Sequence, residues 1–298
     1  MSVIDLAAAF PDQSRLGRSG RVVAAARREN RPALVGYLPV GYPDVPGSID
    51  AVVALTEGSQ GAGVDAVEIG MPYSDPMMDG LAIQHATTRA LAGGVRTRDV
   101  FSAVEAVAKA GATPLVMIYW NLVEHYGSHG RSTDSLASVR HFARDLSNAG
   151  GAGLITPDLT PDDAALWTAA SDEFGLDRVY LVAPSSREER IAQTTAACRG
   201  WVYATSVMGV TGARSHTSSA APVLVEKVRR IAPELPVGVG LGVSNGDQAA
   251  EVGAFADLVI VGSALVKCLI DNESDLGTGL GRLRATVDDL AEGVRRAR

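Results

Sequence analysis

Apolar positions along this chain follow two rhythms in turn. Short runs with the length of buried strands and Gly or Pro boundaries recur eight times. They are ALVGYLP (33–39), DAVEIG (65–70), TPLVMIYW (113–120), GLITP (153–157), RVYLVAP (178–184), GWVYATS (200–206), PVGVGLGV (236–243) and DLVIVG (257–262). Between them, apolar residues return at three- and four-residue spacing. That period predicts helices over about 46–58, 83–92, 98–110 and 136–149, then after Pro161-Asp162-Asp163 and from Arg187 with Ser186 as its N-cap. Further helices are expected over about 221–232, 245–253 and 264–271. Two more, 2–10 and 14–29, lie either side of Pro11, and a long one over about 278–297 ends the sequence.

Eight strands, each followed by a helix, imply a parallel sheet. Eight such units over most of 298 residues fit one (β/α)8 TIM barrel with extra N-terminal helices. The expected division is a single domain, 1–298, with N-terminal helices in 1–30, the barrel core in 33–271 and a C-terminal helix in 276–298. An open doubly wound sheet would usually carry a GxGxxG turn after its first strand. ALVGYLPVGYP has none, and the Gly-rich turns cluster at the other end of the chain.

Composition narrows the function classes. The chain is 46% hydrophobic and 20% charged, and no apolar run reaches the roughly 18 residues of a membrane span. MSVIDLAAAFPDQ has Asp5 and no basic start, which argues against a secretion signal and for a cytoplasmic protein. Cys198 and Cys268 are too sparse for a disulfide framework or a Cys-rich zinc site and read as core residues. A net charge of −7 with only scattered pairs such as Arg27-Arg28 disfavours nucleic acid. A phosphorylated metabolite stays open, because amides at helix starts bind phosphate without lysine or arginine.

The candidate chemistry centres on DAVEIGMPYSDPMMDG, residues 65–80. Val67 and Ile69 share one strand face, so Glu68 points to the other. A carboxylate there costs several kcal/mol to desolvate unless partners or a ligand repay it, on the order expected for buried charge. A buried ion pair is the plain alternative. Gly70, Pro72 and Ser74-Asp75-Pro76 then end the strand and put Glu68 near its C-terminal tip, with Asp79 in the following loop. Lys109, Lys227 and Lys267 all fall on predicted helices, so no Schiff-base lysine stands at a strand tip. His85, His125, His129, His141 and His216 avoid the strand ends, and neither HExxH nor GxSxG occurs; metal ligands are lacking. Acid–base chemistry by Glu68 and Asp79 remains. Phosphate sites in such barrels favour the loops after strands seven and eight. Glycines stand there, in Gly240-Leu241-Gly242-Val243-Ser244 and Gly262-Ser263, and their alternative reading is plain turns. Thr211 lies in a long loop after strand six, either a lid on which it is a hydrogen-bonding group or a disordered segment where it is merely a loop hydroxyl.

EIGMPYSDPMMDG resembles the signature of the tryptophan synthase alpha chain family. Pro157-Asp158-Leu159, GVTGA (209–213), GLGVS (240–244) and VGSALVK (261–267) follow in that family's order and spacing. The resemblance implies a lyase that cleaves indole-3-glycerol phosphate to indole and glyceraldehyde 3-phosphate without metal or cofactor. It puts the catalytic glutamate on Glu68 and the aspartate on Asp79. It puts phosphate contacts on Gly212, Gly242, Gly262 and Ser263, and Thr211 beside the substrate. Tyr37, Tyr119 and Tyr203 match aromatic positions near the indole or glycerol moiety, with barrel-top packing as the alternative. The implied partner is a pyridoxal-phosphate beta chain in an alpha–beta–beta–alpha tetramer, docked near Asp75, Pro76 and 121–127. Departures from the family pattern are Leu81 and Leu122 in place of prolines, a small insertion at 57–63 and a longer connection at 128–140. A stand-alone lyase, a non-catalytic regulator of a beta chain and another phosphate-binding barrel are the competing readings.

Overall fold

Alternation within the strands builds the barrel directly. The computed structural model describes residues 13–75, 79–127, 134–205, 220–240 and 242–298. Its strands are β1 (Ala33–Pro39), β2 (Ala66–Gly70), β3 (Thr113–Met117), β4 (Gly153–Ile155), β5 (Asp177–Val179), β6 (Leu181–Val182), β7 (Val202–Thr205), β8 (Val237–Gly240) and β9 (Leu258–Val261). All pair in parallel, in the order β5-β4-β3-β2-β1-β9-β8-β7-β6. Alternate residues (Val35, Ala66, Leu115, Ile155, Val179, Leu258) fill the interior together with Trp201 and Ile260. Their neighbours Leu34, Val67, Ile69, Val116 and Leu154 pack outward into the larger core beneath the helices. This two-sided burial is why the strands read as short continuous apolar runs.

The surrounding helices are α1 (Gln13–Arg28), α2 (Val45–Glu57), α3 (Leu81–Ala92), α4 (Asp99–Lys109), α5 (Trp120–Glu124), α6 (Ser135–Asn148), α7 (Ala165–Phe174), α8 (Glu188–Ala197), α9 (Ala220–Ile231), α10 (Gly246–Gly253), α11 (Ser263–Ile270) and α12 (Leu276–Arg295). Each expected unit appears among the described residues, with boundaries shifted by a few positions. The helix expected over 2–10 lies outside them.

Four local expectations are corrected. The fifth strand is two pieces, because the chain changes partners at Tyr180: β5 pairs with β4, and β6 with β7. The third strand stops at Met117, and Trp120 opens α5, its amide donating to both carboxylate oxygens of Asp158 at 3.0 Å. Ser186 does not cap α8; Arg187 holds the cap position without a side-chain bond, and the Ser186 hydroxyl instead accepts from Ala183 N at 3.0 Å. Helix α1 is broken at Gly17, where φ is +59°. The break aims the amides of Arg18 and Ser19, and the Ser19 hydroxyl, at the buried Asp177 carboxylate at 3.2, 2.7 and 2.6 Å. A β-carbon on Gly17 would lie 1.9 Å from that carboxylate, so glycine is required there.

The N-terminal end of the barrel is closed by α1, whose Val23 and Ala26 join the interior core. Asp257, buried just ahead of β9, locks this end. It faces Arg27, Arg229 and Arg298 at 3.0, 3.3 and 3.6 Å and accepts from Val237 N at 3.1 Å. Burial pushes its carboxyl up, but Arg27, Arg229 and the Val237 amide outweigh that and hold it below the usual range. The interior opens into a cavity at the C-terminal ends of the strands. The small insertion at 57–63 lies on the outside, where Ser59 N donates to Asp288 of α12 at 3.0 Å.

Candidate active site

A single cavity at the C-terminal ends of the strands gathers most of the residues singled out in the sequence. Glu68, Asp79, Tyr37, Tyr119, Tyr203, Gly242, Gly262 and Ser263 all line it. Thr211 and Gly212 lie outside the described residues.

Glu68 reaches the cavity because strand alternation turns it inward, between outward-facing Val67 and Ile69. It stands two residues before the end of β2 and is 1% exposed. Among the described residues its Oε2 has no hydrogen-bond partner, which speaks against the ion-pair alternative for this carboxylate. Burial pushes its pKa up to about 8, and the nearby Asp79 charge adds to the shift. At neutral pH this carboxyl therefore holds its proton.

Asp79 comes from the loop between β2 and α3. Gln84 of α3 donates through Nε2 to the Asp79 carbonyl at 2.7 Å, and Gly80 caps the helix, which pins the loop's return. Burial pushes the half-buried Asp79 carboxyl up to about 6. Two carboxyls with separated titrations share one cavity: an acid in Glu68 and an anion in Asp79.

The tyrosines are held by missing side chains opposite them. A β-carbon on Gly70 would lie 2.3 Å from the Tyr37 hydroxyl, and one on Gly240 the same distance from the Tyr203 hydroxyl. Gly240, in β8, thus makes room for Tyr203, a role that neither the phosphate nor the plain-turn reading foresaw. Burial first, and then Asp79 and Glu68, raise both hydroxyls far above their ordinary range, so both remain protonated donors. Tyr119 stacks on Tyr73 with ring centroids 4.3 Å apart, a contact the sequence reading missed.

Another part of the lining suits an anion. Gly242 has φ +69°, and Gly262 is the N-cap of α11, with Ser263 its first residue. An open amide-rich helix start is a phosphate-binding geometry, here placed beside the cavity. The apolar lining of Met71, Ile83, Met117, Leu181 and Ile260 was missed in the sequence. Only its inward parity at strand ends distinguishes it from ordinary core.

The lysines fall where the sequence puts them, while His129 and His216 lie outside the described residues. Lys109, Lys227 and Lys267 lie on α4, α9 and α11, and none lines the cavity. His85 and His141 lie on α3 and α6, and His125 donates through Nδ1 to Asn121 O at 2.8 Å. Among the described residues no three His, Cys, Asp or Glu side chains form a metal-ligand cluster. Cys198 is buried, as expected, and Cys268 is half-buried with its sulfur against Ala264 O and Thr286. Asp75 is exposed, with Ser74 donating to it at 2.7 Å; Pro76 lies outside the described residues. No helix among the described residues is long and apolar enough to cross a membrane.

Comparison with known proteins decides between the barrels that such a cavity could serve. The sequence profile described as tryptophan synthase alpha chain matches residues 23–295. The chain belongs to the tryptophan synthase alpha chain family. A family member from Mycobacterium marinum is 55% identical over 284 residues, covering 95% of this chain and 97% of that one. A solved structure of Mycobacterium tuberculosis tryptophan synthase is 54% identical, with a TM-score of 0.83, covering 94% of this chain and 98% of that chain. A mutant tryptophan synthase alpha-subunit from Pyrococcus furiosus is similar at 29% identity and a TM-score of 0.73, covering 87% and 98%. Membership in this family makes the chain a lyase of tryptophan biosynthesis.

Proposed function

We propose that this chain cleaves indole-3-glycerol phosphate by passing one proton out and back through Glu68. The family's alpha reaction is that cleavage, and it uses no cofactor, the pyridoxal phosphate belonging to the beta chain. The observation that carries the assignment of roles is the unpartnered, protonated Glu68 facing the same cavity as anionic Asp79. Glu68 gives its proton to indole C3, and the ring becomes an indoleninium whose positive charge and N–H face Asp79. The Glu68 carboxylate then takes the proton of the C3′ hydroxyl. The C3–C3′ bond breaks, its electron pair returns to the indole ring, and glyceraldehyde 3-phosphate leaves as the aldehyde. Glu68 ends protonated, ready for the next turn.

Substrate orientation follows from the two walls. The indole ring fits among Met117, Leu181, Tyr203 and Ile260, and the phosphate belongs at Gly242, Gly262 and Ser263, joined by Gly212. Tyr37 and Tyr119 border the reacting carbons, and Thr211 completes the binding set. The working form is an alpha–beta–beta–alpha heterotetramer in the cytoplasm, with the partner reached past Asp75, Pro76 and 121–127.

Indole release from indole-3-glycerol phosphate tests this reading, with the isolated chain and then with a tryptophan synthase beta chain added. Slow release that accelerates with the partner supports it. Fast release indifferent to the partner would favour a stand-alone lyase, and no release in either case would contradict the reading.

A further inference from the structure

Tyr119 is held from outside the cavity that it lines. It is also the N-cap of α5, and its own side chain makes no capping bond there. The first amides of a helix have no partner within it, so an acceptor must come from elsewhere. Asp158 supplies one: both of its carboxylate oxygens lie 3.0 Å from Trp120 N, the first amide of α5. That carboxylate belongs to the segment after β4, 38 residues further along the chain.

The strand ends explain this placement. The end of β3 keeps a neighbour on each side: Met71 N donates to Met117 O at 2.9 Å, and Ile118 N to Ile155 O at 3.1 Å. The chain leaving β3 therefore runs between the chain leaving β2 and the chain leaving β4. Tyr119 meets a support from each. On the β2 side Tyr73 stacks on it, with ring centroids 4.3 Å apart and planes 19° from parallel. On the β4 side Asp158 fixes the next amide. Tyr73 is half-buried and Asp158 exposed, and neither lines the cavity. Pro157, which does line it, restricts the backbone just ahead of Asp158.

Resting on the lyase reading above, we infer that Asp158 is a positioning residue: by fixing Trp120 N it sets the first turn of α5, and together with Tyr73 it holds the Tyr119 ring at the reacting carbons. Because Asp158 is exposed, water can replace its carboxylate at Trp120 N, so the cost of losing it falls on the ring's position rather than on folding. A small displacement beside the reacting atoms costs rate more than affinity, since the substrate is gripped at its phosphate and indole ends.

The experiment measures kcat and KM for indole-3-glycerol phosphate cleavage by the full chain without a partner, with circular dichroism on every variant. Asp158→Ala is expected to lower kcat by about tenfold and to change KM by less than about twofold. Asp158→Asn keeps an oxygen that can accept from Trp120 N and should stay within about threefold of wild type. Tyr73→Phe keeps the stacked ring and should stay near wild type, whereas Tyr73→Leu should lose about as much as Asp158→Ala. Both supports act through one ring, so the double variant Asp158→Ala/Tyr73→Leu should lose little more than either single one. Losses that multiply overturn the inference, as do an unchanged kcat, a rise in KM alone or an unfolded chain in Asp158→Ala. Asp158→Asn as damaged as Asp158→Ala also overturns it, because the charge and not the acceptor would then matter. A wild-type chain that releases no indole, alone or with a beta chain, overturns the lyase reading as well; an active wild type confines any failure to Asp158.

Discussion

The Tyr203 hydroxyl stands 2.3 Å from where a β-carbon on Gly240 would be, and its Cζ stands at 3.2 Å. The glycine in β8 is therefore part of the tyrosine's seat, and most of the conflict created by a methyl group falls on one oxygen. Gly240→Ala is expected to displace the ring into the cavity and lower kcat/KM by about tenfold or more, the scale of an overpacked site. Adding Tyr203→Phe removes the clashing oxygen and should restore much of that loss. Kinetics on the wild type, both single variants and the double variant check this. Simply additive losses would mean that the two residues are not coupled.

In the proposed mechanism the two carboxyls set the pH range of catalysis. Asp79 must be ionised, so activity rises as pH passes about 6; Glu68 must be protonated, so activity falls above about 8. A bell-shaped kcat/KM profile with limbs near those values is expected. The limbs belong to the coupled pair, so removing Asp79 by Asp79→Asn should move the remaining Glu68 limb downward. A pH-independent rate from 5 to 9 would contradict the account.

Glu68 should cost the fold stability at high pH. Its folded pKa is about 8 against an ordinary 4.5, so between those values the folded chain holds a proton that the unfolded chain releases. Stability falls as pH rises across that window, and the penalty is complete above about 8. Glu68→Gln should therefore be the more stable protein at pH 9, by about 1–3 kcal/mol, and the gap should close toward pH 5. Denaturant titrations at both pH values measure the difference.

At the sealed end the sign is opposite. Asp257 is held ionised by Arg27 and Arg229 despite its burial. Its contribution is present above the ordinary aspartate range and is lost as pH falls through the lower folded value. Asp257→Asn leaves those arginines facing a neutral group and should destabilise the chain by about 3 kcal/mol at pH 7. Unfolding curves that show a smaller difference below pH 4, with kcat retained at 25 °C, would agree.

The barrel was legible because both faces of most strands are buried. That burial turns each strand into a short apolar run, and the Gly and Pro boundaries punctuate the units. Glu68 was legible as the one charge inside such a run. Its depth and its unpartnered oxygen were not, since these depend on β1 and β3 lying on either side. The split at Tyr180 and the Asp177 clasp on α1 were also hidden. Both arise where the closing barrel brings distant segments together, which no local pattern encodes. The glycines show the same limit: Gly240 and Gly242 sit two residues apart, yet only the fold shows that the first makes room for Tyr203. Met117 and Ile260 look like core in sequence because the cavity is a core position left open.

The proton shuttle itself is tested most directly by Glu68→Gln, which keeps the side chain's shape and removes its titration. Indole formation from indole-3-glycerol phosphate at pH 7 is measured for both proteins, with a circular dichroism spectrum to show that the fold is kept. The account predicts a loss of about a thousandfold in kcat, within the range for an essential acid–base group, with KM little changed. A folded Glu68→Gln protein that retains about a tenth or more of the wild-type rate would contradict it.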